Sequence, residues 1–361
     1  MHARVSWSLR WLAVAVAVAG IVVVATSLLG GSGAQATTST RALADHFLDT
    51  YVTSDGAVVR TDQGSDVVSE GQAYAMVLAE VADRPATVRT VWAWTQQHLQ
   101  RSDGLLSWHA KPDGTVLDPQ SAGDGDVLAA WALLDYRGPD ASSLEAAGRK
   151  IASAVLAHET VSMQGQLLLA AGPWATTQPA PAVDPSYWMP SVFRRIATAT
   201  GDQRWSAMAD TAVTAVAALT GDAHQLPPDW AQLQGGRLVA TGPPGGGQSG
   251  PSYGPDAARV PAWFAADCQG SARRLAAHWW PLISGQSDAM TRSLDGSVTD
   301  QTMLPVSEVA AAMAAQAAGD AGSAKRDLAT AADEAQAHAT YYGDAWVALG
   351  AALLRGLPPA C

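Results

Sequence analysis

Residues 72–82 read QAYAMVLAEVA, a segment that is apolar on nearly every side of the helix it would form. A helix with no polar face is buried, so this segment predicts an inner helix. By contrast, SSLEAAGRKIASAVLAHE at 142–159 and GSAKRDLATAADEAQAH at 322–338 carry one polar face, which is typical of helices on the outside of a fold. The fully apolar character returns three times, in VLAAWALL at 127–134, VAAAMAAQAA at 309–318 and AWVALGAALL at 345–354.

Helical patterns of this kind recur along the chain between Gly, Pro and Asp breaks, while strand-type alternation is scarce. Alternating inner and outer helices predict six helical hairpins closed into a double ring, an all-α toroid. We expect one domain over residues 37–361, with residues 242–251 (GPPGGGQSGP) as a flexible loop. Twelve helices are predicted, and they start near Ser39, Ser69, Pro85, Asp124, Ser142, Pro185, Asp202, Pro255, Gln269, Pro305, Gly322 and Thr340.

The first 36 residues have the pattern of an export segment. Arg4 and Arg10 precede an apolar run over residues 11–29, and the small-residue motif Ala34-Gln35-Ala36 follows it. The motif favours a signal peptide that is cleaved, whereas the length of the run approaches the ~20 residues of a membrane anchor. In both cases the positive flank stays inside, so the rest of the chain is expected outside the cytoplasm, secreted or anchored.

The composition limits the classes of partner and cofactor. The formal charge of −11 over 361 residues argues against nucleic acid and anionic lipid, but it leaves a neutral polysaccharide open. The eight histidines form no HExxH motif and no paired Cys/His pattern, so we expect neither a metal nor another cofactor. The two cysteines, Cys268 and Cys361, could pair in an oxidising compartment or remain two thiols, and sequence separation does not decide between these.

Four acidic residues lie at the predicted starts of inner helices. Glu70 opens the second helix, Asp124 and Asp126 open the fourth, and Asp256 opens the eighth. Helices of the same parity point the same way in an up-and-down ring, so these carboxyl groups are expected to meet at one end of the toroid. Two carboxyl groups ~6.5–9.5 Å apart on either side of a sugar linkage can hydrolyse it with inversion. The alternative is that each acid only caps its helix and interacts with the helix dipole.

Seven short motifs follow one another along the chain, and they are SEGQAY at 69–74, DGL at 103–105 followed by Trp108-His109, SAGDGD at 121–126, DPSY at 184–187, PPDW at 227–230, DAAR at 256–259 and YYG at 341–343. They resemble the motifs of glycoside hydrolase family 8, a family of bacterial endoglucanases, chitosanases and some xylanases. They occur in the family's order and span about residues 40–355. No single motif is decisive, but the ordered series is specific.

The resemblance implies an (α/α)6 barrel and an inverting mechanism. It implies Glu70 as the proton donor, Asp256 as the base that activates water, and Asp124 as a hydrogen-bond partner of the sugar at the cleavage point. The family includes the cellulase that accompanies bacterial cellulose synthase, so a synthase partner is implied by the family alone, and we expect the protein itself to be a monomer. The implied substrate-binding residues are Trp108, Trp174, Tyr187, Arg259, Tyr341, Tyr342 and Asp126.

The fourteen tryptophans, against three phenylalanines, divide by position. Trp108 and Trp174 lie in predicted loops, which favours stacking on sugar rings. The tryptophans on predicted helices are expected in the core, and they are Trp92, Trp94, Trp131, Trp205, Trp263, Trp279, Trp280 and Trp346.

The chain departs from the family pattern at three places. Gly123 stands where Ser or Thr precedes the signature aspartate, Ala129 replaces Ile or Met, and Pro255 replaces a Tyr, with Tyr253 two residues earlier. Three hypotheses follow. The chain is an endo-acting β-1,4-glucanase, a chitosanase or xylanase of the same family, or a non-catalytic glycan-binding protein.

Overall fold

The computed structural model describes residues 32–245 and 250–357, and its architecture is predominantly helical. The inner and outer helices of the sequence pattern are recognisable one by one. In chain order the helices are α1 Ser32–Tyr51, α2 Ser69–Val81, α3 Pro85–His98, α4 Gly123–Asp135, α5 Ala141–His158, α6 Pro173–Thr176, α7 Pro190–Thr200, α8 Arg204–Leu219, α9 Arg259–Ala265, α10 Gly270–Ile283, α11 Pro305–Ala317, α12 Ala321–Ala337 and α13 Tyr341–Leu353.

Six helices form a closed inner wall. They are α2, α4, α7, α9, α11 and α13, and each packs against the next until α13 meets α2 again. The helices α1, α3, α5, α8, α10 and α12 pack against this wall, and α6 is a single turn in a connection. The predicted all-α (α/α)6 barrel is therefore confirmed.

Burial follows the polarity of each helix. In α4 every residue from Gly123 to Leu134 is buried, and in α2 the buried stretch runs without a break from Gly71 to Ala79. The outer helix α12 buries only Ser323, Ala324, Ala331, Glu334 and Ala335. A helix that loses contact with water on every side gains most when all its side chains are apolar, which explains why the inner helices lack a polar face.

Short antiparallel strands occupy the connections between helices. They pair as β1-β2-β3, β4-β5, β6-β7-β8 and β9-β10. Two short 3-10 helices, Pro185–Tyr187 and Ser284–Gln286, also lie in connections. The strands are β1 Val67–Val68, β2 His109–Ala110, β3 Val116–Asp118, β4 Thr160–Met163, β5 Gln166–Leu169, β6 Ala182–Val183, β7 Trp230–Gln234, β8 Arg237–Thr241, β9 Ala289–Arg292 and β10 Val298–Met303.

Three predicted helix starts are wrong, while the other nine lie within two residues of those observed. The first helix begins at Ser32 rather than Ser39. The sixth begins at Pro190, because the Asp184 side chain accepts the Ser186 N–H and caps a separate 3-10 turn instead. The eighth begins at Arg259, and the four residues before it, 255–258, form turns.

Core tryptophans lie where the sequence predicts, with one exception. Seven of the eight tryptophans on predicted helices are at most 5% exposed. Trp280 is half-buried and packs against the edge of the core. The large aromatic side chains therefore fill the space between helices rather than the surface.

Several predictions fall partly or wholly outside the described residues. Within residues 32–245 and 250–357, no helix is both long and apolar enough to cross a bilayer. The apolar run 11–29 and Cys361 lie outside the described residues, so the anchor, its cleavage and the pairing with Cys268 stay predictions. Residues 246–249 of the predicted flexible loop also lie outside.

Candidate active site

One arginine stands at the centre of the acidic cluster. Arg259 is the first residue of α9, and its side chain is 4% exposed. Its Nη1 lies 2.6 Å from Glu70 Oε1 and 3.1 Å from Asp124 Oδ2, and its Nη2 lies 2.9 Å from Asp256 Oδ1. Three carboxyl groups that are far apart in the sequence therefore surround a single guanidinium at the N-terminal ends of inner helices.

The connection before α7 completes the set of partners around the guanidinium. Ser186 Oγ accepts a hydrogen bond from Arg259 Nη2 at 2.6 Å, and Asp184 Oδ2 lies 3.8 Å from the same nitrogen. A buried charge is costly unless it is paired and hydrogen-bonded, and the planar guanidinium can bond several acceptors in fixed directions. Arg259 thereby fixes where the carboxyl groups stand relative to one another.

The three acids differ in their access to water. The Asp256 side chain is 40% exposed, that of Glu70 is 20% exposed and that of Asp124 is 6% exposed. Glu70 Oε1 also accepts a hydrogen bond from the Tyr74 hydroxyl, one helical turn further on. Asp256 can therefore meet solvent water, while Glu70 sits deeper in the cleft.

Asp124 is the acid with the strongest perturbation. Burial, followed by the negative charge of Glu70, raises the pKa of Asp124 to about 7, against the opposing attraction of Arg259. Its Oδ1 accepts the N–H of Gly125 at 2.8 Å. Near neutral pH this carboxyl group exists in both protonation states, so it can donate a hydrogen bond to a sugar hydroxyl or accept one from it.

Two glycines allow the inner helices to approach closely at this end. A Cβ atom at Gly125 would lie 2.4 Å from Ser69 Oγ and 3.0 Å from the Glu70 nitrogen. A Cβ atom at Gly71 would lie 2.2 Å from the Tyr341 hydroxyl. Glycine at these positions lets α2 contact both α4 and α13, which brings Glu70 to the same mouth as Asp124.

Two adjoining cavities form a groove over the acids. The smaller, of about 120 Å³, is lined by Glu70, Asp124, Asp256 and Arg259 among others. The larger, of about 390 Å³, is the aromatic cavity, which is lined by Trp108, Trp174, Tyr187 and Trp230 together with short polar residues. Trp108, Ala122 and Tyr187 line both cavities, so the aromatic cavity continues directly from the acids.

Trp108 is held on one face and at its edge. The His109 ring stacks on it at 4.7 Å between centroids, and His109 Nε2 lies 2.7 Å from Asp66 Oδ2. Asp66 in turn receives two 2.8 Å hydrogen bonds from Arg60, and the Trp108 side chain hydrogen-bonds Asp118. A platform fixed in this way loses little conformational freedom when a sugar stacks on it.

The other residues predicted to bind substrate separate into two groups. The Tyr187 ring lies under the Arg259 guanidinium, with 5.6 Å between Arg259 Cζ and the ring centroid, and the Tyr342 hydroxyl donates to the Pro255 carbonyl at 3.1 Å. Tyr341 is 1% exposed and packs against Phe47 and Tyr51, so it belongs to the core and lines neither cavity.

Asp126 lies behind the groove rather than in it. It is fully buried, and its Oδ1 accepts the N–H of Leu106 at 2.8 Å. Burial raises its pKa well above the usual range, and the charge of the buried Glu159 raises it further. Asp126 therefore lines neither cavity, and its predicted contact with sugar has no support from its position.

Glu159 is a second buried acid beside this site, and it carries a stability prediction. Its Oε1 accepts the Ser121 hydroxyl at 2.6 Å, and burial raises its pKa from 4.5 to about 8. Between these values the folded protein keeps a proton that the unfolded chain has released. The free energy of unfolding therefore falls as pH rises, by ~1.4 kcal/mol per pH unit from this group.

We expect Glu159→Gln to flatten the pH dependence of stability between about pH 5 and 8, since glutamine has no proton to lose and can still accept from Ser121. The measurement is the melting temperature at several pH values. Glu145→Gln, an exposed change on α5, the helix that ends directly before Glu159, is the control. Equal pH dependence in the wild type and Glu159→Gln would contradict this account of Glu159.

Three site residues escape the sequence reasoning. Arg60 lines the smaller cavity, Trp230 lines the aromatic cavity, and Ser186 binds Arg259. Trp230 and Ser186 belong to the PPDW and DPSY motifs, so those motifs were the available signal. Arg60 lies in none of the seven motifs, and its ion pair with Asp66 holds it at the groove. Among residues 32–245 and 250–357, no three His, Cys, Asp or Glu side chains are grouped to hold a metal ion.

Comparison with known sequences places the chain in a family. The family model described as Glycosyl hydrolases family 8 matches residues 21–353. A probable endoglucanase of Novacetimonas hansenii is 30% identical over 266 residues, which cover 64% of this chain and 72% of that protein. An endoglucanase of Cellulomonas uda is 29% identical over 196 residues, which cover 51% of this chain and 53% of that protein. The chain therefore spans about half the length of the second relative.

Solved structures share the fold. The endo-beta-1,4-glucanase CMCax from Acetobacter xylinum aligns with a TM-score of 0.72 at 24% identity, over 88% of this chain and 98% of that one. The Beta-1,3-1,4-glucanase from Paenibacillus sp. X4 aligns with a TM-score of 0.79 at 21% identity, over 90% of this chain and 92% of that one. Since the family model covers nearly the whole chain and the barrel is shared, this protein belongs to glycosyl hydrolases family 8.

Proposed function

We propose that this chain is an inverting, endo-acting β-1,4-glucanase. In this proposal Glu70 protonates the leaving glycosidic oxygen, Asp256 takes a proton from the attacking water, and Asp124 hydrogen-bonds the sugar between them. The observation that carries the proposal is the bonding of all three carboxyl groups to Arg259 at the floor of one groove. Family membership supports glycoside hydrolysis as the reaction class.

Family membership supports inversion as the stereochemical course. Glu70 and Asp256 bond different nitrogens of the same guanidinium, Nη1 and Nη2, so the two carboxyl groups flank one cation in the groove. Inverting glycosidases need ~6.5–9.5 Å between the two groups, which leaves room for a water molecule beside the base. The water attacks the anomeric carbon as the bond to the leaving oxygen breaks, so one proton leaves through Asp256 and another arrives from Glu70.

The aromatic cavity supports a β-linked glucan as substrate. Trp108, Trp174 and Trp230 surround it, and flat aromatic faces suit the apolar faces of β-linked glucose rings. Because this cavity continues from the acids, several sugar units can bind beside the linkage that is cut. The relatives in Novacetimonas hansenii and Cellulomonas uda bear the name endoglucanase, which favours cleavage within a chain. Another relative, from Paenibacillus barcinonensis, is an exo-oligoxylanase, so xylan belongs in the test.

The test compares initial rates on carboxymethylcellulose, lichenan, xylan and chitosan. We expect carboxymethylcellulose to be cleaved, with solution viscosity falling early relative to the release of reducing ends, as random internal cuts require. Asp140→Asn is the matched control, because Asp140 is exposed between α4 and α5 at the opposite end of the barrel. Glycan binding without any new reducing ends on all four polymers would refute catalysis. Faster cleavage of xylan or chitosan would refute the glucan assignment alone.

A further inference from the structure

We propose that Asp229 is a positioning residue that holds the catalytic base in place, an inference that rests on the proposed role of Asp256. Asp229 directly precedes β7, outside the helices that carry the acids. Its Oδ1 accepts two backbone N–H groups, from Gly254 at 3.0 Å and from Ala257 at 2.8 Å. One carboxylate oxygen therefore bonds the backbone on both sides of Asp256.

The second oxygen and the backbone of Asp229 extend this contact. Asp229 Oδ2 accepts the Ser252 hydroxyl at 3.1 Å, and the Asp229 N–H donates to the Ser252 carbonyl at 2.8 Å. We name residues 252–257 the base loop. Asp229 thus forms four hydrogen bonds with the base loop and holds both of its ends. Its carboxylate accepts three of them and its N–H donates the fourth. Hydrogen bonds to an ionised acceptor are stronger than those between neutral groups.

The sequence of the base loop is adapted to this close contact. A Cβ atom at Gly254 would lie 2.6 Å from Asp229 Oδ2, closer than real Cβ atoms approach. Any larger residue there would push the carboxylate away from its donors. The requirement for glycine at position 254 therefore follows from the position of Asp229.

After Asp256 the base loop continues into the first turn of α9, where the Arg259 N–H donates to the Asp256 carbonyl and the Val260 N–H to the Ala257 carbonyl, both at 3.0 Å. Two contacts with other segments hold it before Asp256. Tyr253 and Arg292 exchange backbone hydrogen bonds of 2.9 and 2.8 Å, and Tyr342 donates to the Pro255 carbonyl. Both contacts lie before Asp256 in the chain, whereas Asp229 also binds Ala257 after it. Without Asp229 the Asp256 carboxylate keeps its bond to Arg259 and its carbonyl keeps the Arg259 N–H, but the loop loses the two N–H bonds that tie Gly254 and Ala257 to the segment before β7, so the carboxylate can shift relative to the water. A shift of ~1 Å at a reacting group can cost ~10²-fold in rate.

The charge of Asp229 gives the test a way to separate geometry from electrostatics. Burial, and then the negative charge of Asp256, raises the pKa of Asp229 to about 6. Asn at this position keeps an oxygen that can accept both N–H groups, and its amide can donate to the Ser252 hydroxyl. Ala removes all the side-chain bonds.

The experiment compares steady-state kinetics on carboxymethylcellulose for the wild type, Asp229→Ala and Asp229→Asn. We expect Asp229→Ala to lower kcat by about 10–100-fold with KM within about threefold, since the loop positions a base and does not bind sugar. Asp229→Asn should recover most of kcat. The control is Asp320→Ala, because Asp320 caps α12 through Ser323 N–H at 2.9 Å and Ser323 Oγ at 2.8 Å, far from the groove. It should lower the melting temperature and leave kcat unchanged.

A double variant tests whether Asp229 acts through the base. In the background of Asp256→Asn, Asp229→Ala should cause no further loss of the residual rate, because residues that act as one unit are not additive. Full activity of Asp229→Ala, or the same proportional loss in both backgrounds, would overturn the proposal. Full activity of Asp256→Asn would instead refute the proposed function. Should Asp229→Ala not fold, Gly254→Ala is measured in its place, with the same expected loss of kcat and the same overturning result.

Discussion

Replacing Glu70 with glutamine is expected to lower kcat on a β-1,4-glucan by about 10²–10⁴-fold, the usual contribution of a general acid. The departing sugar is a poor leaving group unless its oxygen receives a proton as the bond breaks, and the glutamine amide has no acidic proton to give. Glutamine keeps an oxygen in place of Oε1, so it can still accept from Arg259 and Tyr74, and the barrel should remain folded. The measurement is kcat on carboxymethylcellulose together with the melting temperature.

A substrate with a good leaving group identifies the step that is lost. The dinitrophenolate of a dinitrophenyl β-cellobioside departs without protonation, so Glu70→Gln should retain far more of the wild-type rate on this substrate than on the polymer. Equal losses on both substrates would show that Glu70 serves a purpose other than proton donation. Asp140→Asn should behave as the wild type on both.

Asp256→Asn is expected to lower kcat by a similar factor, about 10²–10⁴, but on both substrates. Water needs a base whichever group leaves, so a better leaving group does not compensate for the missing carboxylate. Asn keeps an oxygen toward Arg259 Nη2, which limits the damage to the hydrogen bonds around the guanidinium. The comparison of the two variants on the two substrates therefore separates the acid from the base.

The result that would contradict the assignment of Asp256 is a rate on the dinitrophenyl substrate close to that of the wild type. The assignment would also be contradicted if the melting temperature of Asp256→Asn fell so far that unfolding at the assay temperature explained the whole loss of rate. The circular dichroism spectrum and melting temperature of Asp256→Asn are the controls for this second outcome.

The architecture could be predicted because the polarity of a helix's faces indicates whether the helix is buried inside the fold or lies on its surface. The segment 72–82 has no polar face, and α2 is buried on all sides, while the polar stripe of 322–338 corresponds to the outer helix α12. Because alternate helices of the ring point the same way, acids at the starts of the even-numbered helices are predicted to lie at one end of the barrel. The bonds from Arg259 to Glu70 and Asp124 show them meeting there.

The finer arrangement depends on contacts between distant segments, which a local pattern does not contain. Tyr341 and Tyr342 are neighbours in one motif, yet Tyr341 packs into the core against Phe47 while Tyr342 reaches Pro255. The turn over residues 255–258 stands where a helix start is predicted, and Asp229, from another part of the chain, accepts the Ala257 N–H within it. The positions of these side chains and of this turn depend on tertiary packing, so they cannot be inferred from the motifs themselves.

The most direct test of the paired roles of Glu70 and Asp256 is proton NMR of the products in the first minutes of hydrolysis of a β-1,4-glucan oligosaccharide. Attack by water held on the Asp256 side, opposite the departing oxygen, predicts that the α-anomer of the new reducing end appears first and equilibrates to the β-anomer afterwards. A β-anomer that appears first would mean retention of configuration, and it would contradict the assignment of these two residues as an inverting acid and base.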